Sequence, residues 1–373
     1  MAYGVPIRVP MVDVHTISAG GGSIARVDQA GMLRVGPDSS GSSPGPICFG
    51  RGGQYPTITD ANIVLGRLDS SSINGADTRP PVEQVAAVLG QCIGTPLGLS
   101  NVEAAAAVVQ VATNDMAGAI NLVSVARGHD PRDFALFAFG GAGPLHAVAL
   151  ARELGIPKVI IPPFPGVTSA IGSILADVRH DLVQTINRPV SEVDEEKMTS
   201  ILRQQGVEGR RFVLNQNLLL KEVVVEHSAD FLYDGQSHVL QISLTGERFS
   251  CSEAIAAFKK SYTQRFSIDL SDMRLILVNL RTTVIGKRDR VDVSIIAPKS
   301  DQQKERCVST HITKSYFEGS WIKTNVYYRD ALISNNTYIG PAIIKQVDTT
   351  IYIDSKSNFN IDEFGNIIIT VKL

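Results

Sequence analysis

The sequence predicts an α/β first half followed by a strand-rich α+β second half, and three observations carry this. Of 32 glycines only eight lie after residue 185, so the sharp turns that join strands to helices are concentrated early. The run "DFALFAFGGAGPLHAVALARELGIPKVIIPP" reads as strand, glycine turn, helix and strand, which is a parallel βαβ unit. At "TINRPVSEVDEE", Thr185–Glu196, an apolar pattern gives way to Pro, Asn and acidic residues. The boundary between a domain over 1–185 and a domain over 186–373 is placed there.

Taken in order, "RVPMVDVHTIS" is strand-like, with apolar and β-branched residues running up to a glycine turn. "GGSIARVDQAGMLRVGP" follows as a hairpin closing around Gln29, Ala30 and Gly31. Ser100 and Glu103 form an S-x-x-E capping box that opens the longest helix, and Gly128 stands where its C-terminal cap belongs. Val102, Ala105, Val109, Ala112, Met116, Ala119 and Val123 recur at helical spacing, with alanines and valines on other faces, so this helix is expected to be buried on most sides. In the βαβ run the first strand ends at Phe139, and Pro144 suits the first helical turn because its missing N–H would have no partner there. Lys158–Ile161 is the second strand, and a small-residue helix, "GVTSAIGSILADV", comes next. In the second half "LKEVVVEHSADFLYDGQSHVLQISL" reads as two strands turning at Tyr233, Asp234 and Gly235. "SCSEAIAAFKKSYTQRF" is an amphipathic helix, and "RLILVNLRTTVIGK" and "GNIIITVKL" are further strands.

A chain of 373 residues has the length for two or three domains, and 44% apolar with 19% charged residues is an ordinary globular balance. A net charge of -2 offers no basic field for nucleic acid or for an anionic membrane. "MAYGVPIRVPM" lacks the charged start and apolar core of a signal peptide, and no apolar run reaches the roughly 18 residues of a membrane helix. A cytoplasmic location is the resulting expectation. Cys48, Cys92, Cys251 and Cys307 form no C-x-x-C pair, so they read as apolar fillers rather than as a zinc ribbon or a redox dithiol.

Two glycine turns are candidate sites. Gly20, Gly21 and Gly22, with Ser23 after them, would let backbone N–H groups approach phosphate oxygens, or would simply make a tight turn between strands. Asp13 and His15 share one strand face, where they could bind a metal or orient a water, or hydrogen-bond to each other and hold the turn. In "FGGAGPLHA" the amides and the positive end of the helix suit an anion or a nucleotide edge. This is neither the G-x-G-x-x-G pattern nor a P-loop. His146, in the first turn of that helix, reads as structural. "SSGSSPGPICFGRGG" is an ordered loop or a linker; it carries Arg51 and Cys48, and no base is assigned to Cys48 as a nucleophile.

Four blocks, "VDVHTISAGGGSIARVD", "LRVGPDSSGSSPGPICFGRGGQYPTITDANIVLGRLD", "RGHDPRDFALFAFGGAGPLHAVALARELGIPKVIIPPFPGVTSAIGSILADVRHD" and "GPAIIKQVDTTIYI", resemble the hydantoinase A/oxoprolinase family. The resemblance implies an ATP-dependent hydrolase of cyclic amides, such as hydantoins, 5-oxoproline or related lactams, with ATP-dependent ketone carboxylases among the relatives. It implies an actin-like (ribonuclease H-like) ATPase fold whose two lobes close on ATP and Mg2+. On that basis 1–185 is the second ATPase lobe, followed by a strand-rich C-terminal domain over 186–373. Gly20, Gly21, Gly22 and Ser23 take the place of the second phosphate turn, and Gly140, Gly141, Ala142 and Gly143 that of the nucleotide-side turn. Asp13 and His15 are the catalytic candidates, and no metal ligand or lactam-contacting residue is assigned.

The family's D-x-G-G-T-x-T-D phosphate string, which belongs to the first lobe, does not occur in these 373 residues. A smaller departure is "YTQRFS", where Phe266 and Ser267 stand in place of a tyrosine-glycine pair. The expected partners are a chain carrying the first lobe, a hydantoinase B-type subunit and a small cyclic amide, with no nucleic acid and no membrane. A ketone carboxylase subunit, a non-catalytic interaction subunit and an inactive truncated product are the alternatives.

Overall fold

Ala135–Phe137 and Lys158–Ile161 pair in parallel, Leu136 lying opposite Val159, and the helix Gly143–Glu153 makes the crossover between them. The βαβ reading is therefore correct. It comes from a computed structural model that describes residues 14–73, 79–237, 239–268, 270, 272–289, 309–334 and 336–373.

The sheet does not stop at Lys158–Ile161. Ile367–Val371 pairs antiparallel to it, and Ser357–Ile361 and Thr337–Ile339 follow outward, giving a mixed five-stranded sheet. Ile367 faces Ile161 and Ile369 faces Val159 across the ladder, and all four are fully buried with Ala147 and Ala151 of the crossover helix. Burial of each such side chain stabilises by about 1.5–3 kcal/mol. By packing, residues 309–373 join 14–171, and 172–289 form a unit of their own. The local patterns were read correctly, but alternation along "GNIIITVKL" says which face is apolar and not which sheet it will cover.

In the larger unit the hairpin Ser23–Val27 and Leu33–Ser39 forms as expected, its turn held by the Asp28 carboxylate accepting from the N–H groups of Ala30 and Met32, both at 2.9 Å. The capping box is also present: the Ser100 hydroxyl is paired with the Glu103 N–H, and the Glu103 carboxylate accepts from Ser100 N–H at 2.9 Å. The helix it opens, Asn101–Val123, ends before Gly128, and a 3-10 turn over Val125–Arg127 completes the path to that glycine. It packs with Ile58–Val64 and Val82–Leu89 around Ala104, Ala105, Val108 and Ala112. From Asn114 on the helix is much more open, so burial on most sides holds for its first four turns only. His311–Phe317, Ser320–Tyr328, Ala342–Lys345 and Thr350–Ile353 make a second, four-stranded sheet in this unit.

The smaller unit is an antiparallel sheet of Val178–Pro189, Leu275–Lys287, Glu222–Tyr233 and Leu240–Leu244, with the helices Glu195–Leu214 and Cys251–Phe266 contributing to its core. This is the α+β arrangement expected there, including the turn after Tyr233. Within the sheet the buried Asp230 carboxylate accepts from Asn279 and Arg281, each at 2.7 Å. Among the described residues no single helix is long and apolar enough to cross a membrane.

Ile369→Ala is expected to cost about 2–5 kcal/mol, read as a lower denaturant midpoint, and to speed amide exchange in Lys158–Ile161. Unchanged exchange there would mean that the last strand belongs to an independent domain.

Candidate functional site

The first glycine turn is built by hydrogen bonds that consume its carbonyls. Thr59 donates to the Gly21 carbonyl from both N–H (3.0 Å) and hydroxyl (2.8 Å), and Ser40 N–H donates to the Gly22 carbonyl at 2.9 Å. The Ser23 hydroxyl closes the turn by accepting from Gly20 N–H at 2.9 Å and donating to the Ser18 carbonyl at 3.0 Å. The N–H groups of Gly21 and Gly22 make no hydrogen bond among the described residues. Glycine is required at 21 for packing, since a Cβ there would sit 2.7 Å from the Thr59 hydroxyl, whereas at Gly20 it would meet nothing.

The second turn, Gly140–Gly143, leads straight into the helix Gly143–Glu153. Gly140 has a φ of 84° and donates its N–H to the Pro165 carbonyl at 2.7 Å; the Gly141 carbonyl accepts from the Thr349 hydroxyl at 2.8 Å. Gly141, Ala142 and Gly143 are exposed, and their N–H groups make no hydrogen bond among the described residues. No side chain caps this helix. Its free donors and positive dipole end therefore suit an anion.

Asp348 stands beside this turn. One carboxylate oxygen accepts from Gly166 N–H at 2.7 Å, while the other, Oδ1, is buried without a hydrogen bond. A buried carboxylate oxygen left unpaired is costly, so the place suits a hydroxyl donor or a cation next to the anion-accepting amides. Phe137 and Phe139, just before this turn in the chain, are each 48% exposed, with ring centroids 6.0 Å apart.

The sequence-named residues divide as follows. Gly20 to Ser23 and Gly140 to Gly143 form two separate donor turns in one unit, with no hydrogen bond between them among the described residues. His15 is exposed and unpaired among the described residues, and Asp13 lies outside them. The strand expected over "RVPMVDVHTIS" is not present in its described part, Val14–Ser18, which has no ladder partner and is exposed. A strand needs such a partner for its backbone groups. Cys48 is buried in an ordered 3-10 turn whose N–H groups bind Asp60; burial, with the Asp60 charge adding to it, pushes its thiol far above the usual value. Burial, with Glu195, likewise pushes Cys251 up to about 11. Both are inert fillers; Cys307 lies outside the described residues. Sequence reasoning missed Thr59, Thr349 and Asp348, although all three lie in blocks already singled out, Thr59 in "LRVGPDSSGSSPGPICFGRGGQYPTITDANIVLGRLD" and the other two in "GPAIIKQVDTTIYI".

The hydantoinase/oxoprolinase family model matches residues 1–182, and the hydantoinase/oxoprolinase C-terminal domain model matches residues 196–369. The chain belongs to the hydantoinase/oxoprolinase family. It is 33% identical to caprolactamase subunit alpha of Pseudomonas jessenii over 93% of this chain and 51% of that protein. It is 31% identical to 5-oxoprolinase 1 of Arabidopsis thaliana over 99% of this chain and 30% of that one, and 30% identical to the acetophenone carboxylase gamma subunit of Aromatoleum aromaticum over 96% and 51%. The crystal structure of the ATP-dependent caprolactamase of Pseudomonas jessenii superposes with a TM-score of 0.83 at 30% identity, covering 98% of this chain and 54% of that one. This hydantoinase/oxoprolinase chain thus spans about half the length of the caprolactamase and acetophenone carboxylase subunits, and less of 5-oxoprolinase 1.

Gly21→Ala is expected to cost about 1–3 kcal/mol by overpacking against Thr59, and Gly20→Ala no more than about 0.5 kcal/mol. Chemical unfolding of the two variants checks this, and the reverse order would contradict the packing of the turn.

Proposed function

We propose that this chain supplies the second lobe of an actin-like ATPase within an ATP-dependent hydrolase of cyclic amides, with hydantoins, 5-oxoproline and other lactams as the substrate class. The observation that carries the reading is the Gly140–Gly143 turn, where three exposed, unpaired N–H groups open an uncapped helix beside a carboxylate with one free oxygen. These residues fit a nucleotide: the amides of Gly141, Ala142 and Gly143 would hold its phosphates, and Asp348 a hydroxyl or the counter-cation. Gly20 to Ser23 form a second donor turn for phosphate. The similarity to a caprolactamase described as ATP-dependent supports the same reading.

In such a reaction the amide oxygen takes the terminal phosphoryl group and ADP leaves, water adds to the activated carbon, the ring C–N bond breaks with the nitrogen leaving as the protonated amine, and a second water releases phosphate from the resulting acyl phosphate. The part of these residues is to orient the phosphates and neutralise charge as the phosphoryl group moves. Among the described residues no group of three or more side chains could hold a metal, so no step is assigned here to Mg2+. Asp13 and His15 stay proposals as catalytic groups.

The working enzyme, in this reading, also contains a first lobe with the D-x-G-G-T string and a hydantoinase B-type subunit; subunit designations in the relatives' names support an assembly. The similarity to the acetophenone carboxylase gamma subunit favours, as the second reading, an ATP-dependent ketone carboxylase.

The complex co-purified from cells should hydrolyse ATP only when a cyclic amide is added. A Cβ at Gly143 meets nothing within 4 Å, so Gly143→Asp should fold normally and lower kcat/KM about tenfold or more through repulsion of phosphate. Stimulation by ketone with bicarbonate and not by lactams would establish the second reading instead, and ATP turnover indifferent to both would overturn the two together.

A further inference from the structure

A cavity of about 410 Å³ lies in the larger unit between the helices Asn101–Val123 and Gly143–Glu153 and the hairpin around Phe317 to Gly319. Its size is that of a small-molecule site, and it contains none of the glycine-turn residues. Its charges are uneven. Arg152 is neutralised by Asp354, at 2.6 Å, and Glu318 is paired with Lys356 at the rim, where Glu153 is also exposed. Arg67 has no carboxylate within ion-pair distance among the described residues. Its guanidinium stacks on the Tyr352 ring, 4.9 Å from the centroid, and one Nη donates to the Tyr316 carbonyl at 3.0 Å. Its Nε is buried without a partner, as is that of Arg152.

His146 faces the same space. It is only 6% exposed and makes no hydrogen bond among the described residues. Burial and the adjacent Arg67 charge push it down to about 4, so at neutral pH it is an uncharged ring with one N–H to donate. A half-sequestered cation whose carboxylate neighbour, Asp354, is already paired with Arg152, next to a histidine ring with no hydrogen bond, is an arrangement that one anion would relieve.

We propose that this cavity binds a small anion, a carboxylate or a phosphate monoester, with Arg67 as the charged anchor and His146 as the second donor. The site goes beyond the nucleotide reading, because its residues differ from the glycine turns. Gln110, Thr113 and the rings of Tyr316, Phe317 and Tyr352 also line it. The guanidinium fork suits the two oxygens of either group.

Thermal unfolding of the full chain with inorganic phosphate and, separately, with glutarate is the test. At least one should raise the midpoint saturably, and the tighter of the two identifies the class. Arg67→Met should weaken that anion about tenfold or more, and His146→Phe by a smaller factor. Gly143→Asp should leave it unchanged, which separates this site from the nucleotide turn. If Arg67→Met fails to fold, His146→Phe alone decides. No saturable shift with either anion, or full binding retained in the variants, would overturn the proposal.

Discussion

The antiparallel ladder between Ile367–Val371 and Lys158–Ile161 is the contact on which the larger unit depends. It closes the sheet over the crossover helix, so the core around Ala147 and Ala151 is made jointly by segments from the first half of the chain and from its last few dozen residues. The same returning segment supplies Thr349, which fixes the Gly141 carbonyl, and Asp348, which fixes Gly166. The Gly140–Gly143 turn is thus held by Thr349 from the distant C-terminal segment and by the Pro165 carbonyl, whose neighbour Gly166 is itself bound to Asp348. That is how an exposed turn with three unpaired amides keeps one geometry: the Gly140 N–H and the Gly141 carbonyl are tied down while the N–H groups of Gly141, Ala142 and Gly143 stay free.

Much of this was legible. The βαβ unit followed from an apolar run, a glycine turn and Pro144, and the Ser100–Glu103 box followed from spacing alone, because each is local chemistry. The hairpin around Asp28 and the two strands on either side of Tyr233 were legible for the same reason. The grouping of 309–373 with 14–171 was not, since a period-2 pattern identifies an apolar face without naming its partner. The strand expected before Gly20 failed in its described part for a related reason. Residues suited to a strand form one only where another edge receives their hydrogen bonds, and Val14–Ser18 has none among the described residues.

The candidate sites show a common economy. The free N–H groups at Gly21 and Gly22, those at Gly141 to Gly143, the lone Oδ1 of Asp348 and the Nε of Arg67 all lack a protein hydrogen-bond partner among the described residues. The exposed amides are hydrated until a ligand replaces the water, whereas the buried Oδ1 of Asp348 and Nε of Arg67 cost stability unless something completes them. Their types were visible in part: glycine clusters announce free amides, and the family resemblance pointed to phosphate. Arg67 and His146 carried no signal of pairing, because their proximity arises only when the helix Gly143–Glu153 packs beside the segment after Ile58–Val64.

The most direct test of the central claim is amide hydrogen exchange on the chain in its co-purified complex, with and without ATP. The account predicts slowed exchange at Gly141, Ala142 and Gly143, and at Gly21 and Gly22, on adding nucleotide. Protection confined to residues 172–289, or no change at either turn, would contradict it.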